Sequence, residues 1–293
     1  MPAYFNEVYL VKKMASYISV YVDSPYTSYA SYPPLPTPEE ANNLMGESGT
    51  PVRYGTAFDA CINMKAGPRI PEGAEQFSNV FSGSGLVIPP SIPISSSNST
   101  YIFENCASLI QPSVIAKGIS SLSHWFDGCT NLQYGPSIPA SVNSLYYTFR
   151  NCTNMTGEMI IRPSSISSRT QAFRGTTKQI TLYGDQSLCE SLAETSTNSN
   201  VSWSDWYDPV PAVTNRGQGS YTTAEDMTRM VRNGALAVNT YAPGRMVYQQ
   251  GDIVREDEWN ALVEAAQTID PTVTYSTHYA NLNKIEAAFD SAL

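Results

Sequence analysis

The sequence predicts an α+β protein: a solenoid of coils about 23 residues long carrying short parallel strands, with an N-terminal arm and a small C-terminal helical module. Three observations carry this prediction. A phrase of the form Phe-x-x-Cys-x-x-Leu recurs at fixed spacing, apolar anchors recur in phase with it, and helix-start signals are concentrated toward the C-terminus.

The phrase is clearest in the middle of the chain. Phe103-Glu104-Asn105-Cys106-Ala107-Ser108-Leu109 is followed by Phe126-Asp127-Gly128-Cys129-Thr130-Asn131-Leu132 and by Phe149-Arg150-Asn151-Cys152-Thr153-Asn154-Met155. The same ruler finds Phe58 (with Cys61 and Met64), Phe81 (with Ser84) and Phe173 (with Thr176). Steps between these phenylalanines are 23, 22, 23, 23 and 24 residues. A fixed period of this size marks stacked structural repeats.

Further anchors share the period. Twelve residues after a phenylalanine stand Ile70, Ile115, Ile138 and Ile161, a position suited to a short inward-facing strand. Pro71 and Pro139 follow directly and limit that strand, because proline donates nothing to a ladder. Nineteen residues after a phenylalanine stand Phe77, Leu122 and Leu145. No coil buries these anchors alone; stacking buries them mutually.

Ile138-Pro139-Ala140-Ser141-Val142-Asn143-Ser144-Leu145 followed by Phe149-x-x-Cys152-Thr153-Asn154-Met155 resembles the BspA-like leucine-rich repeat, which reads I-P-x-S-V-x-x-I-G-x-x-A-F-x-x-C-x-x-L. The resemblance spans residues 54–183 and is sharpest over 103–155. Missing from it are the glycine after Leu145 and the alanine before phenylalanine, where Trp125 and Thr148 stand. It implies a leucine-rich-repeat solenoid over 54–185, with Phe58, Phe81, Phe103, Cys106, Phe126, Cys129, Phe149, Cys152 and Phe173 as its core.

Composition narrows the function classes. Only 15% of the 293 residues are charged, nineteen are tyrosine, and the net charge is −9. Nucleic-acid binding is disfavoured, since neutralising phosphates needs a basic patch. No stretch reaches the length of a membrane span. Lys12 and Lys13 before Met14–Val22 mimic a signal peptide weakly, without a cleavage site, so synthesis in the cytoplasm without export is expected.

Four of the five cysteines occupy one phase of the repeat, which predicts a buried ladder of parallel side chains about 4.8 Å apart. That geometry is poor for disulfides and suits free thiols acting as small hydrophobes. Cys189, outside the phase, is expected to be the accessible one.

The flanking regions divide as 1–53, an anchoring arm with a short helix; 186–220, a linker; and 221–293, a helical module. Val8–Val22 reads as either helix or strand. Residues 24–36, rich in proline and tyrosine, read as an extended segment laid across a partner or mobile. Thr37-Pro38-Glu39-Glu40 is a capping box with proline at the first helical position. Helices are expected from Thr222 to Gly234, from Asp252 to before Pro271, and from Thr277 to Leu293.

Gly251-Asp252-Ile253-Val254 with Glu258-Trp259-Asn260-Ala261-Leu262-Val263 resembles a G-D-x-V/I-x-x-x-E/D-W/Y-N-x-L segment of bacteriophage tail-fibre and baseplate proteins, where it precedes oligomer-forming helices. The alternative is an ordinary turn entering an amphipathic helix.

Catalytic patterns are not found. Neither His124 nor His278 has triad or metal spacing, and no phosphate loop, nucleophile elbow or dinucleotide fingerprint occurs. Acidic pairs stand at helix N-termini, where the dipole favours them. No catalytic, cofactor-binding or metal-binding residue is assigned, and no cofactor is expected. One constellation suits recognition: Tyr101, His124 and Tyr147, two residues before successive phenylalanines, with Trp125 and Tyr146 beside them. Facing outward, they would form a flat aromatic platform for sugar rings or another subunit; facing inward, they would seal the core.

These readings converge on a non-enzymatic virion structural protein of the tail-fibre, baseplate or head-fibre kind. Expected partners are other virion proteins, further copies of the chain in a homo-oligomer, and a host-surface glycan or protein. The alternative is a BspA-like adhesin on a bacterial cell surface.

Overall fold

The Phe-x-x-Cys phrase folds as a turn in every layer, and its backbone explains how. Residues two before and two after the phenylalanine are left-handed: Tyr101, His124 and Tyr147 have φ of 59°, 57° and 54°, and Asn105, Gly128 and Asn151 have 57°, 75° and 61°. This alternation aims every second N–H at the next layer. Tyr101, Phe103 and Asn105 donate to the carbonyls of Ser123, Trp125 and Asp127 at 3.1, 2.9 and 2.7 Å. His124, Phe126 and Gly128 repeat the pattern to Tyr146, Thr148 and Arg150 at 3.0, 3.0 and 2.8 Å. At Gly128 a Cβ would meet Asn105 Oδ1 at 2.3 Å, so the Asn105 side chain fills the space over this glycine.

The phenylalanine rings lie inside these turns in one file. Phe58, Phe81, Phe103, Phe126, Phe149 and Phe173 are fully buried, with successive centroids 5.2–5.6 Å apart and planes within 16° of parallel. Beside them runs the sulfur file: Cys106, Cys129 and Cys152 donate to the carbonyls of Phe81, Phe103 and Phe126 at 3.0 Å. All five thiols are free and buried.

The computed structural model describes residues 4–6, 9–14, 16, 18–22, 35–71, 73–74, 76–92, 99–209, 223–277 and 279–293. It corrects the expected leucine-rich-repeat solenoid with a parallel strand in each coil. The described residues are α+β, with five helices, one four-stranded sheet and one three-stranded sheet. Ile70, Ile115 and Ile138 lie outside the strands, and Ile138 makes only a single bridge to Ile161. Pro71 and Pro139, directly after Ile70 and Ile138, donate nothing to a ladder, while the regular interlayer hydrogen bonds fall in the left-handed turns.

Of the two readings of the apolar N-terminal segment, the described residues take the strand. β1 (Tyr4–Asn6), β2 (Tyr9–Lys13) and β3 (Ile18–Val22) form an antiparallel meander, and β4 (Val52–Arg53) adds parallel to β3. Between them α1 (Pro38–Leu44) starts at the capping box, where Thr37 and Glu40 exchange hydrogen bonds. Of the expected extended segment 24–36, residues 24–34 lie outside the described residues, while Leu35 is buried in the core.

The last layers build regular parallel sheet. β5 (Gly157–Ile161) and β6 (Ile180–Gly184) pair in parallel, followed by β7 (Val201–Trp203). α2 (Gln186–Glu194), capped by Asp185, links β6 to β7, so the expected linker 186–220 holds a helix and a strand. Cys189 lies in α2 with no exposure, against the expectation that it is accessible.

This sheet separates two cores. Met159, Ile161, Ile180 and Leu182 point into the phenylalanine core, while Ile160 and Tyr183 point into a second one. α3 (Ala224–Ala237), α4 (Glu256–Gln267) and α5 (Tyr279–Ala292) complete that second core through Met230, Leu262, Ile285 and Phe289. α3 continues past Gly234, where it was expected to stop. A Cβ at Gly234 would meet the Phe289 ring at 2.8 Å, so the glycine marks a close helix crossing and not a terminus. α4 begins four residues later than expected, because Asp252 is drawn into the preceding turn, accepting from Gln249 N at 2.8 Å.

Candidate recognition surface

The left-handed turns line one edge of the stack, and the expected aromatic residues occupy it unequally. Trp125 is fully buried, edge-on to Phe103 with centroids 6.3 Å apart, and its indole N–H donates to the Ser99 carbonyl. It belongs to the core, not to the surface. His124 is 8% exposed, Tyr101 and Tyr147 are half-buried, and Tyr146 is 37% exposed.

The rings form a cluster and not the flat platform. Tyr101 stacks on His124 at 4.3 Å. His124 meets Tyr147 at 5.2 Å with a 42° tilt and Tyr146 edge-on at 5.3 Å. The Arg150 guanidinium lies over the Tyr147 ring, 4.4 Å from its centroid. The His124 and Tyr147 rings are thus engaged by neighbours in the same molecule, and Tyr101 is engaged on the side that stacks on His124.

Beneath the rings lies a charge network the sequence reading did not assemble. Asp127, almost fully buried, accepts from Arg150 Nε at 2.8 Å and pairs with Arg150 Nη2 at 2.5 Å. Its Oδ2 also meets His124 Nδ1 at 2.9 Å. Bonding to Asp127 raises the Arg150 pKa further, so this guanidinium stays charged. Glu104, one layer earlier, is held above the usual carboxylate range by burial and then by the Asp127 charge, with His124 and Arg150 opposing. The signal was available in the sequence: Glu104, Asp127 and Arg150 each directly follow a repeat phenylalanine, so layering brings them together.

Glu104, His124 and Asp127 place one ligand atom each within 4.8 Å of one another, a spacing that could hold a metal ion. The bidentate Arg150 fork argues against that use. Both Asp127 oxygens are already committed, and a cation would have to settle beside a guanidinium. Asp127–His124 also resembles two members of a hydrolytic triad, but among the described residues no hydroxyl or thiol bonds the other imidazole nitrogen. Among the described residues the arrangement orients and neutralises charge.

The Gly251–Val263 segment has a role inside the fold. Arg245, fully buried, donates from Nη2 to Glu258 Oε2 at 3.3 Å, and its Nη1 and Nε lie 3.1 Å from Asp252 and Glu258 as Coulombic contacts. Arg245 Nη2 also bonds the Ile253 carbonyl at 2.7 Å. Burial raises the Glu258 carboxyl, with Arg245 foremost among the groups opposing it. Trp259 donates to the Tyr275 carbonyl at 2.9 Å. Between this segment and the stacked turns runs a groove of about 1000 Å³, walled by Ile88, Pro90, Ile115, Val254, Ala261 and Ala265.

No family model matches this chain, and comparisons with curated proteins and with solved structures return no match. Among the described residues, no helix is long and apolar enough to cross a membrane.

Proposed function

We propose that this chain is a non-enzymatic structural protein of a bacteriophage virion, of the fibre or baseplate kind, and that its turn edge around Tyr101, His124, Tyr146 and Tyr147 is a protein-contact surface. The carrying observation is that the His124 and Tyr147 rings are already engaged by their neighbours and by Arg150, with the exposed Tyr146 edge-on to both. Sugar recognition by stacking needs a free face, whereas protein contact uses ring edges, phenol hydroxyls and flanking charges. The virion assignment rests on the likeness of Gly251–Val263 to tail-fibre and baseplate segments.

The test is the double variant Tyr101→Asn/Tyr147→Asn, which keeps the left-handed turns. Incorporation into particles should fall sharply while the melting temperature changes by only a few degrees. Undiminished incorporation, or measurable binding of saccharides by the wild type that the variant loses, would overturn the protein-contact reading.

A further inference from the structure

The residue following each repeat phenylalanine runs, from first layer to last, Asp59, Ser82, Glu104, Asp127, Arg150 and Arg174. The turn edge therefore changes sign along its length. Acids occupy its beginning and arginines its end, over five steps of 5.2–5.6 Å. Asp127, near its centre, is neutralised internally by the Arg150 fork. Asp59 and Arg174 are exposed, and neither makes an ion pair among the described residues.

We infer that this edge is a two-fold self-contact, in which two copies of the chain lie antiparallel with Asp59 of each against Arg174 of the other. The inference rests on the protein-contact reading above. An in-register parallel pair would oppose Asp59 to Asp59 and Arg174 to Arg174. The antiparallel pair is self-complementary, as an isologous interface requires. Its axis crosses midway between the Phe103 and Phe126 layers, which sets Asp59 opposite Arg174 and Ser82 opposite Arg150. Glu104 then lies one layer from Arg150 of the second copy, and Asp127, which it faces, is already neutralised. Tyr101 and His124 meet at the axis, with Tyr146 beside them. Aromatic residues at the centre and charges at the margin is the usual anatomy of a protein interface.

Sedimentation velocity of the full chain over a concentration series tests this. A dimer should form and weaken with added salt, because marginal charges are screened. Asp59→Arg alone and Arg174→Asp alone should each weaken dimerisation about tenfold or more, since each makes two marginal pairs repulsive. Combining them should restore it, with circular dichroism showing each variant folded. A chain that stays monomeric, or a double variant no better than either single one, overturns the inference. If the chain is monomeric but Tyr101→Asn/Tyr147→Asn still loses particle incorporation, the self-contact fails while the protein-contact reading stands. If that variant dimerises and incorporates as the wild type does, both fail.

Discussion

Cys129 Sγ lies 3.0 Å from the carbonyl oxygen of Phe103, in the layer before its own, and Cys106 and Cys152 repeat the relationship with Phe81 and Phe126. The cysteine of the phrase is therefore an interlayer donor as well as a filler of space. Ser84, in the same place, faces Cys106 Sγ at 3.4 Å. Replacing Cys129 with Ala removes the donor and leaves a small void, and should cost about 1–3 kcal/mol by denaturant titration. Cys129→Ser should cost less than Cys129→Val, which has the volume but cannot donate; the reverse order would show that only volume matters.

The thiols should be inert in the folded protein. Burial pushes Cys106 and Cys189 up to about 12 and Cys129 and Cys152 up as well, so thiolate is scarce at neutral pH. A thiol reagent should label none of the five cysteines rapidly before denaturation and all five afterwards. Rapid native labelling of Cys189 would show that α2 opens from the sheet.

Phe126 stacks on Phe103 and Phe149 at 5.5 and 5.6 Å and is fully buried. Phe126→Ala should cost about 3–5 kcal/mol, because it leaves a ring-sized cavity between two layers that cannot close without breaking their hydrogen bonds. A loss below about 1 kcal/mol would mean the file is loosely packed.

Glu104 should make stability depend on pH in an unusual direction. Its folded pKa is raised above the ordinary 4.5, so its contribution is fully present below that value and is lost as pH rises through the folded value. Glu104→Gln should therefore raise the melting temperature at pH 7 and reduce the change between pH 7 and 5. A lower melting temperature for Glu104→Gln at pH 7 would mean that the carboxylate has a stabilising partner.

Arg162 fastens the C-terminal helices to the sheet. Its guanidinium donates to the Tyr241 carbonyl at 3.0 and 3.1 Å, to Asn239 Oδ1 at 3.2 Å and to the Ala235 carbonyl at the end of α3, and burial lowers its pKa to about 10. Arg162→Met should cost about 2–3 kcal/mol and raise amide exchange over 235–241 selectively. Uniform exchange along the chain would indicate that the two cores unfold together.

What was legible in the sequence was the period and the buried file, because Phe58 to Phe173 recur at one phase and their burial follows from layering. The capping box at Thr37 was legible too, since its residues are local. Strand was misassigned at Ile70, Ile115 and Ile138 because a buried apolar phase is shared by strand and irregular backbone alike; Tyr101, His124 and Tyr147 likewise carry no local signal of their positive φ. The candidate surface was legible in its residues but not in its form. Ring orientation and the Asp127–Arg150 fork depend on packing between layers 23 residues apart in sequence, where only the position after each phenylalanine hinted at the pairing.

The most direct test of the protein-contact surface is a photo-cross-linking residue placed at Tyr146, the exposed ring of the cluster, in particles that carry this protein. Cross-links should run to protein, either a second copy of the chain or a neighbouring virion component. A label that reaches only saccharide or solvent, while the same probe at Ile253 cross-links protein, would contradict the assignment of the turn edge.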